Sequence, residues 1–315
     1  MKRLFLSVFM LLVAFATFAQ SRPKLIVGIV VDQMRWDYLH RYYNLYCEGG
    51  FKRLMNEGFD CENTMINYIP AITAVGHTSI YTGTVPSIHG IQANNFLLNG
   101  KMTYCTADST VSGVGTDSKA GQMSPRNMLT TTIGDELKVA TNFKSRVFGV
   151  SIKDRAAILP AGHAADAAYW IDSKQSKFIT STYYMKQLPA WVEKYNKKIS
   201  KYTSDQISYS PVGNEVTIDM AKNVISNEKL GQQGETDMLC VSFSSTDKIG
   251  HKYGTHCQII QDQFVDLDKR LADFFNYLDQ TIGKDEYLVF LTADHGAANN
   301  ILMNQKHGIP AGGFF

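Results

Sequence analysis

Four short apolar stretches with no polar alternation punctuate this chain. Residues 24–31 (KLIVGIVV), 238–243 (MLCVSF) and 287–292 (YLVFLT) are the clearest, and 146–152 is a weaker fourth. Runs of this length, rich in β-branched residues, read as strands buried on both faces, as in a parallel sheet. Helical periodicity lies between them, over about 50–57, 74–82, 126–140, 215–228 and 257–280. Strands alternating with helices predict an α/β fold with a doubly wound, mostly parallel sheet flanked by helices. The stretches 95–125 and 160–212 break the rhythm and are rich in Gly, Ser, Thr and Tyr. They are expected to be insertions that wall or cap a site.

The first residues follow a different rule. Lys2 and Arg3 precede an apolar run from Leu4 to Phe18, and Ala19 closes a small-residue exit. That pattern predicts a secretory signal over residues 1–19, shorter than the roughly 20 apolar residues a membrane span needs. The expected mature protein, from residue 20 onward, is exported to a periplasmic or extracellular space and has no stable membrane span. A formal net charge of +2 is too mild to imply nucleic acid or an anionic surface as partner. Small-molecule substrates and a monomer are the expectation. Export permits disulfides. The five cysteines are an odd number with no C-x-x-C pair, so a thiolate zinc knuckle is not indicated.

Each apolar run delivers a polar residue just past its C-terminal end: Asp32, Lys153, Asp247, and the pair Asp294-His295. In open α/β sheets that edge is where ligands bind. Asp247 and His251 are spaced i, i+4, which puts both on one face of a helical turn; alone, the pair also fits a solvated surface. Asp32 could simply cap the helix that follows it. Three carboxylates and two histidines gathered at one edge would be costly without cations. Mixed oxygen and nitrogen donors without sulfur suit zinc. Thr73 opens the helical pattern of 70–86 (PAITAVGHTSIYTGTVP). It fits an ordinary N-cap. It also fits a nucleophile at a helix N-terminus, where phosphate is favoured. His77 reads as a packing residue, and His40, His89, His163 and His256 have no partner pattern.

The ordered set Asp32, Thr73 in T-A-x-G-H-T, Asn94, Lys153 and Arg155 in S-I-K-D-R, Asp247-x-x-x-His251 and Asp294-His295-Gly296 resembles the alkaline phosphatase superfamily. Within it, the chain is similar to the threonine-nucleophile, PafA-like phosphate monoesterase branch, related to type I phosphodiesterases and nucleotide pyrophosphatases. The resemblance covers residues 24–315. It implies an alkaline-phosphatase-like core that binds two zinc ions. One zinc would be held by Asp32, Asp294 and His295 and would contact Thr73. The other would be held by Asp247, His251 and a later histidine. Thr73 would form a covalent phosphothreonine, while Asn94, Lys153 and Arg155 hold the phosphoryl oxygens. His307 does not match the family's last zinc ligand, which lies further along and is followed after one residue by glycine. The third ligand of the second zinc is therefore missing, and the chain is expected to be cut short within the catalytic domain.

The leading expectation is a zinc-dependent alkaline phosphatase acting on phosphate monoesters. A phosphodiesterase or nucleotide pyrophosphatase of the same superfamily is the alternative. A non-catalytic binding fragment is a second alternative, because of the missing ligand, and this fragment itself is expected to show little activity. A sulfatase is disfavoured, since no Cys-x-Pro-x-Arg or Ser-x-Pro-x-Arg segment occurs.

Overall fold

A computed structural model describes residues 22–312. The predicted leader lies outside the described residues. Among them, no helix is long and apolar enough to cross a membrane.

The main sheet has seven strands. They are β1 (Leu25–Val31), β4 (Gly113–Val114), β5 (Val147–Ser151), β6 (Ala167–Asp172), β7 (Lys177–Ser181), β8 (Asp237–Phe243) and β9 (Tyr287–Thr292), in the spatial order β4-β7-β6-β5-β8-β1-β9. The five from β6 to β9 are parallel, and β7 and β4 are antiparallel additions at one edge. A separate hairpin pairs β2 (Asn95–Leu98) with β3 (Lys101–Tyr104). The doubly wound α/β expectation holds, and its physical basis is visible in β1, β5 and β8. Nearly every residue of these strands is buried, because helices cover both faces.

Helices form where the pattern asked for them, at Phe51–Glu57, Thr73–Thr82, Val212–Glu228 and Gln258–Thr281. Gln258–Thr281 turns Phe264, Leu267, Leu271, Phe274, Phe275 and Leu278 into the core at i, i+3 and i+4 spacings. The expected helix over 126–140 is realised only as Ile133–Ala140. A Thr132–Asp135 capping box starts it there.

Two expectations need correction. The stretch 160–212 is not only a cap: it contains β6, which pairs in parallel with β5, and β7, which extends the same sheet. The β6 sequence AAYWID opens on two alanines and closes on an aspartate, so its burial was hidden in composition. The strand at 287–292 exists, but β9 is half-buried rather than buried on both faces. Among the described residues it is the sheet edge, paired only with β1. An edge strand loses the cover that a central position supplies.

Candidate active site

Parallel strands point their C-terminal ends the same way. The lateral order β5-β8-β1-β9 therefore sets Lys153, Asp247, Asp32 and Asp294 side by side along one edge. Register keeps them level: Val31 faces Phe243, Ser151 faces Ser242, and Val30 faces Thr292.

Asp32, Asp294 and His295 form one buried group whose donor atoms lie within 4.8 Å of one another. His295 Nε2 is 3.5 Å from Asp32 Oδ1 and 3.5 Å from Asp294 Oδ2. Both of those carboxylate oxygens are buried and accept no hydrogen bond. Burying unpartnered carboxylate oxygens is expensive unless a cation meets them. Two oxygens and one imidazole nitrogen converging this way are a donor set that fits zinc. The group is consistent with a metal site.

Asp294 is held from several sides. The Gln33 backbone N–H donates to its Oδ1 at 3.1 Å, and the His295 N–H donates at 2.9 Å. His77 Nδ1 lies 3.2 Å from Asp294 Oδ2, with a hydrogen bond to the Thr73 carbonyl at 2.9 Å. Its Nε2 meets the Ser242 hydroxyl at 2.8 Å. Burial is the largest influence on the Asp294 carboxylate and works against it, but the His77 and His295 imidazoles and the Lys153 ammonium together outweigh it, and the carboxyl sits below its ordinary pKa. Gly76 explains how the helix comes so close: a β-carbon there would collide with the Asp294 carbonyl. His77 thus packs, as expected, and also shapes the site.

The second expected metal pair is half assembled. His251 Nε2 is 3.1 Å from Asp247 Oδ1 on the helix Ser245–Tyr253, with the imidazole largely in solvent and the carboxylate buried. Lys153 stands between the halves, with Nζ 2.7 Å from Asp32 Oδ2 and 2.6 Å from Asp247 Oδ2. The same ammonium is 3.4 Å from Thr73 Oγ1. His307 caps the end of the helix Ile301–Lys306 and is exposed.

Thr73 is not an N-cap. The helix Thr73–Thr82 begins with it, while the extended Ile72 holds the cap position. The capping acceptor comes from elsewhere: Asn94 Oδ1 takes the Ala74 N–H at 3.0 Å. The Thr73 hydroxyl is thereby left out of the cap, beside Lys153.

Arg155 is anchored by the hairpin. Its Nη1 donates to the Tyr104 hydroxyl at 2.9 Å, and that hydroxyl donates to Asp154 Oδ1 at 2.8 Å. Thr106 Oγ1–H donates to the other Asp154 oxygen at 2.6 Å. Arg155 Nε is buried with no acceptor. Asp154 lies within S-I-K-D-R without a role that the motif itself gives; Tyr104 and Thr106 carry no motif and are found only through the hairpin's position, and Gln33 only through its turn beside Asp294 and Asp247.

Set beside known proteins, residues 26–310 match the family profile described as type I phosphodiesterase / nucleotide pyrophosphatase. A protein of Myroides odoratus named calcium-transporting ATPase is 48% identical over 333 residues, covering 89% of this chain and 61% of that one. Alkaline phosphatase PafA of Elizabethkingia meningoseptica is 46% identical over 350 residues, covering 95% of this chain and 64% of that one. The chain thus spans about three fifths of the length of these curated relatives. The crystal structure of wild-type PafA superposes with a TM-score of 0.91 at 45% identity, covering 94% of this chain and 67% of that one. A PafA variant changed at one threonine, one asparagine, one lysine and one arginine superposes at 0.89, with 44% identity over 93% of this chain and 66% of that one.

Proposed function

Because the chain belongs to the type I phosphodiesterase / nucleotide pyrophosphatase family, in the PafA-like branch of the alkaline phosphatase superfamily, we propose that it is the catalytic core of a zinc-dependent phosphate monoesterase with Thr73 as nucleophile. The observation that carries this reading is the Thr73 hydroxyl. It opens a helix N-terminus without capping it and lies 3.4 Å from the Lys153 ammonium.

Asp32, Asp294 and His295 would hold one cation, and Asp247 and His251 would contribute to a second. Bound zinc supplies Lewis acidity, which lowers the pKa of a hydroxyl it contacts. The protein's own groups do the rest. The free N–H groups at the start of the helix Thr73–Thr82 favour a phosphoryl anion beside the hydroxyl. The Asn94 carbonyl is committed to Ala74, which leaves its amide N–H groups to donate to phosphoryl oxygens. Lys153 and Arg155 add two positive charges, a match for the extra charge of a monoester dianion. Thr73 gives up its hydroxyl proton to solvent as its Oγ attacks phosphorus, the P–O bond to the leaving group breaks, the departing oxygen takes a proton from solvent to leave as the alcohol, and phosphothreonine forms. Water then attacks that phosphorus, releasing phosphate and returning the proton to Thr73. The four residue types altered in the PafA variant, Thr, Asn, Lys and Arg, are those of Thr73, Asn94, Lys153 and Arg155. That agreement supports the assignment.

The family's description favours one second reading, hydrolysis of diesters. Initial rates on a monoester and a diester separate the two. We expect the full-length protein to prefer the monoester and to yield a trappable phosphoenzyme, and Thr73→Ala to lose both trapping and turnover. Undiminished turnover in Thr73→Ala would overturn the nucleophile assignment.

A further inference from the structure

Gln33 follows Asp32 at position i+2 of the turn that ends β1, closed by the Met34 N–H donating to the Val31 carbonyl at 3.2 Å. Its φ is +63°. Left-handed backbone at this turn position is glycine's territory, and a residue with a β-carbon there is strained by about 1–2 kcal/mol. Such strain persists where surroundings fix it, and it clusters at functional sites. The surroundings here are specific. The Gln33 main-chain N–H donates to Asp294 Oδ1 at 3.1 Å, and the side-chain Nε2 donates to Asp247 Oδ1 at 2.8 Å. The side chain is buried, and it fits only because residue 250 is glycine. A β-carbon on Gly250 would collide with Gln33 Oε1.

We propose that Gln33 is a positioning residue that braces the two halves of the site against each other, its backbone holding Asp294 and its carboxamide holding Asp247. Asp247 Oδ2 is taken by Lys153 and Oδ1 is approached by His251, so the Gln33 amide is the fixed neutral donor that sets the carboxylate's orientation. Partners of this kind, which touch ligands rather than metal, commonly alter metal affinity 10–100-fold when lost. The proposal rests on the two-zinc reading above.

Gln33→Gly separates the two roles of the residue. It relieves the turn and keeps the N–H that serves Asp294, but removes the amide that serves Asp247. In the full-length protein, stripped of metal and titrated with zinc against a competing chelator, the wild type should bind two zinc ions. Gln33→Gly should melt at or above the wild-type temperature when metal-free. It should keep one tight zinc and bind the other at least about tenfold more weakly. Gly250→Ala, which displaces the same carboxamide from the other side, should show the same selective loss. Two zinc ions bound at wild-type affinity by Gln33→Gly would overturn the role of Gln33 alone. A wild type that takes up no zinc would overturn the metal reading and this proposal together.

Discussion

Asn94 Oδ1 accepts the backbone N–H of Ala74 at 3.0 Å, so the helix that starts at Thr73 is capped by a residue outside it. This division of labour predicts a split between stability and function at one position. Asn94→Asp keeps a carbonyl-type acceptor, and its charge suits a helix N-terminus. It loses the amide donor and opposes an incoming phosphate. Its melting temperature should match the wild type while the monoester KM and the inhibition constant for phosphate rise at least about tenfold, the worth of one charge-assisted hydrogen bond. Asn94→Ala should lose both, with about 1 kcal/mol of stability gone with the cap. Wild-type phosphate affinity in Asn94→Asp would remove Asn94 from the binding site.

Lys153 compensates Asp32 and Asp247 at once, and breaking a buried ion pair from one side costs roughly 3–5 kcal/mol. Lys153→Met should therefore lower the melting point of the metal-free protein markedly. Zinc should recover most of that loss, since cations then meet the same carboxylates. Monoester turnover should fall more than diester turnover, and equal losses on the two substrates would argue against a role at the terminal phosphoryl oxygens.

Gly76 reverses a common expectation. In an exposed helix interior, Gly→Ala stabilises by about 1 kcal/mol. Here the added methyl meets the Asp294 carbonyl. Gly76→Ala should instead destabilise by roughly 1–3 kcal/mol through overpacking and weaken zinc binding at Asp32, Asp294 and His295. Urea unfolding reads the first effect, and chelator competition reads the second. A stabilised variant would mean that the helix and the β9 end do not press together.

His89 is buried between Ser79 and the turn it closes. The Ile91 N–H can only donate, so His89 Nδ1 is the acceptor at 3.1 Å, and Nε2–H faces the Ser79 hydroxyl at 3.0 Å. Burial lowers its pKa from 6.5 to about 4. The unfolded chain therefore binds a proton between these values that the folded chain refuses. The stabilisation is complete above pH 6.5 and lost as pH falls toward 4, amounting to roughly 3 kcal/mol across that window. His89→Gln, which cannot titrate, should have a flatter urea midpoint between pH 7 and pH 5. An unchanged pH slope would show that burial does not shift His89's titration away from that of the unfolded chain.

The sequence was most legible where periodicity and punctuation agree. β1, β5 and β8, with the polar residues after them, follow directly from unbroken apolar runs that end in charge. The neighbourhood of Asp32, Asp247 and Asp294 then follows from one rule about strand ends. Legibility failed where a role depends on a partner remote in sequence. Thr73 carries the signature of a cap, yet its cap is Asn94, on the far side of a helix and a loop. Gln33 looks like turn filler, since nothing local reveals that Gly250 leaves room for its amide or that Asp247 awaits it. β6 hides behind alanines, and β9 reads as central because composition reports apolarity, not position in the sheet.

The placement of β1 sets the order in which the strand-end group can assemble. Leu25 pairs with Asp237 on one side and with Tyr287 on the other, so the first strand of the sheet waits for two segments far along the chain. Contacts between such distant segments form slowly. Until β8 and β9 dock, Leu25–Val31 has two vacant edges, and Asp32 has neither Asp247 nor His295 beside it. A chain interrupted before β9 would therefore carry Thr73 and Lys153 but neither Asp294 nor His295, and the buried carboxylate–imidazole group could not form.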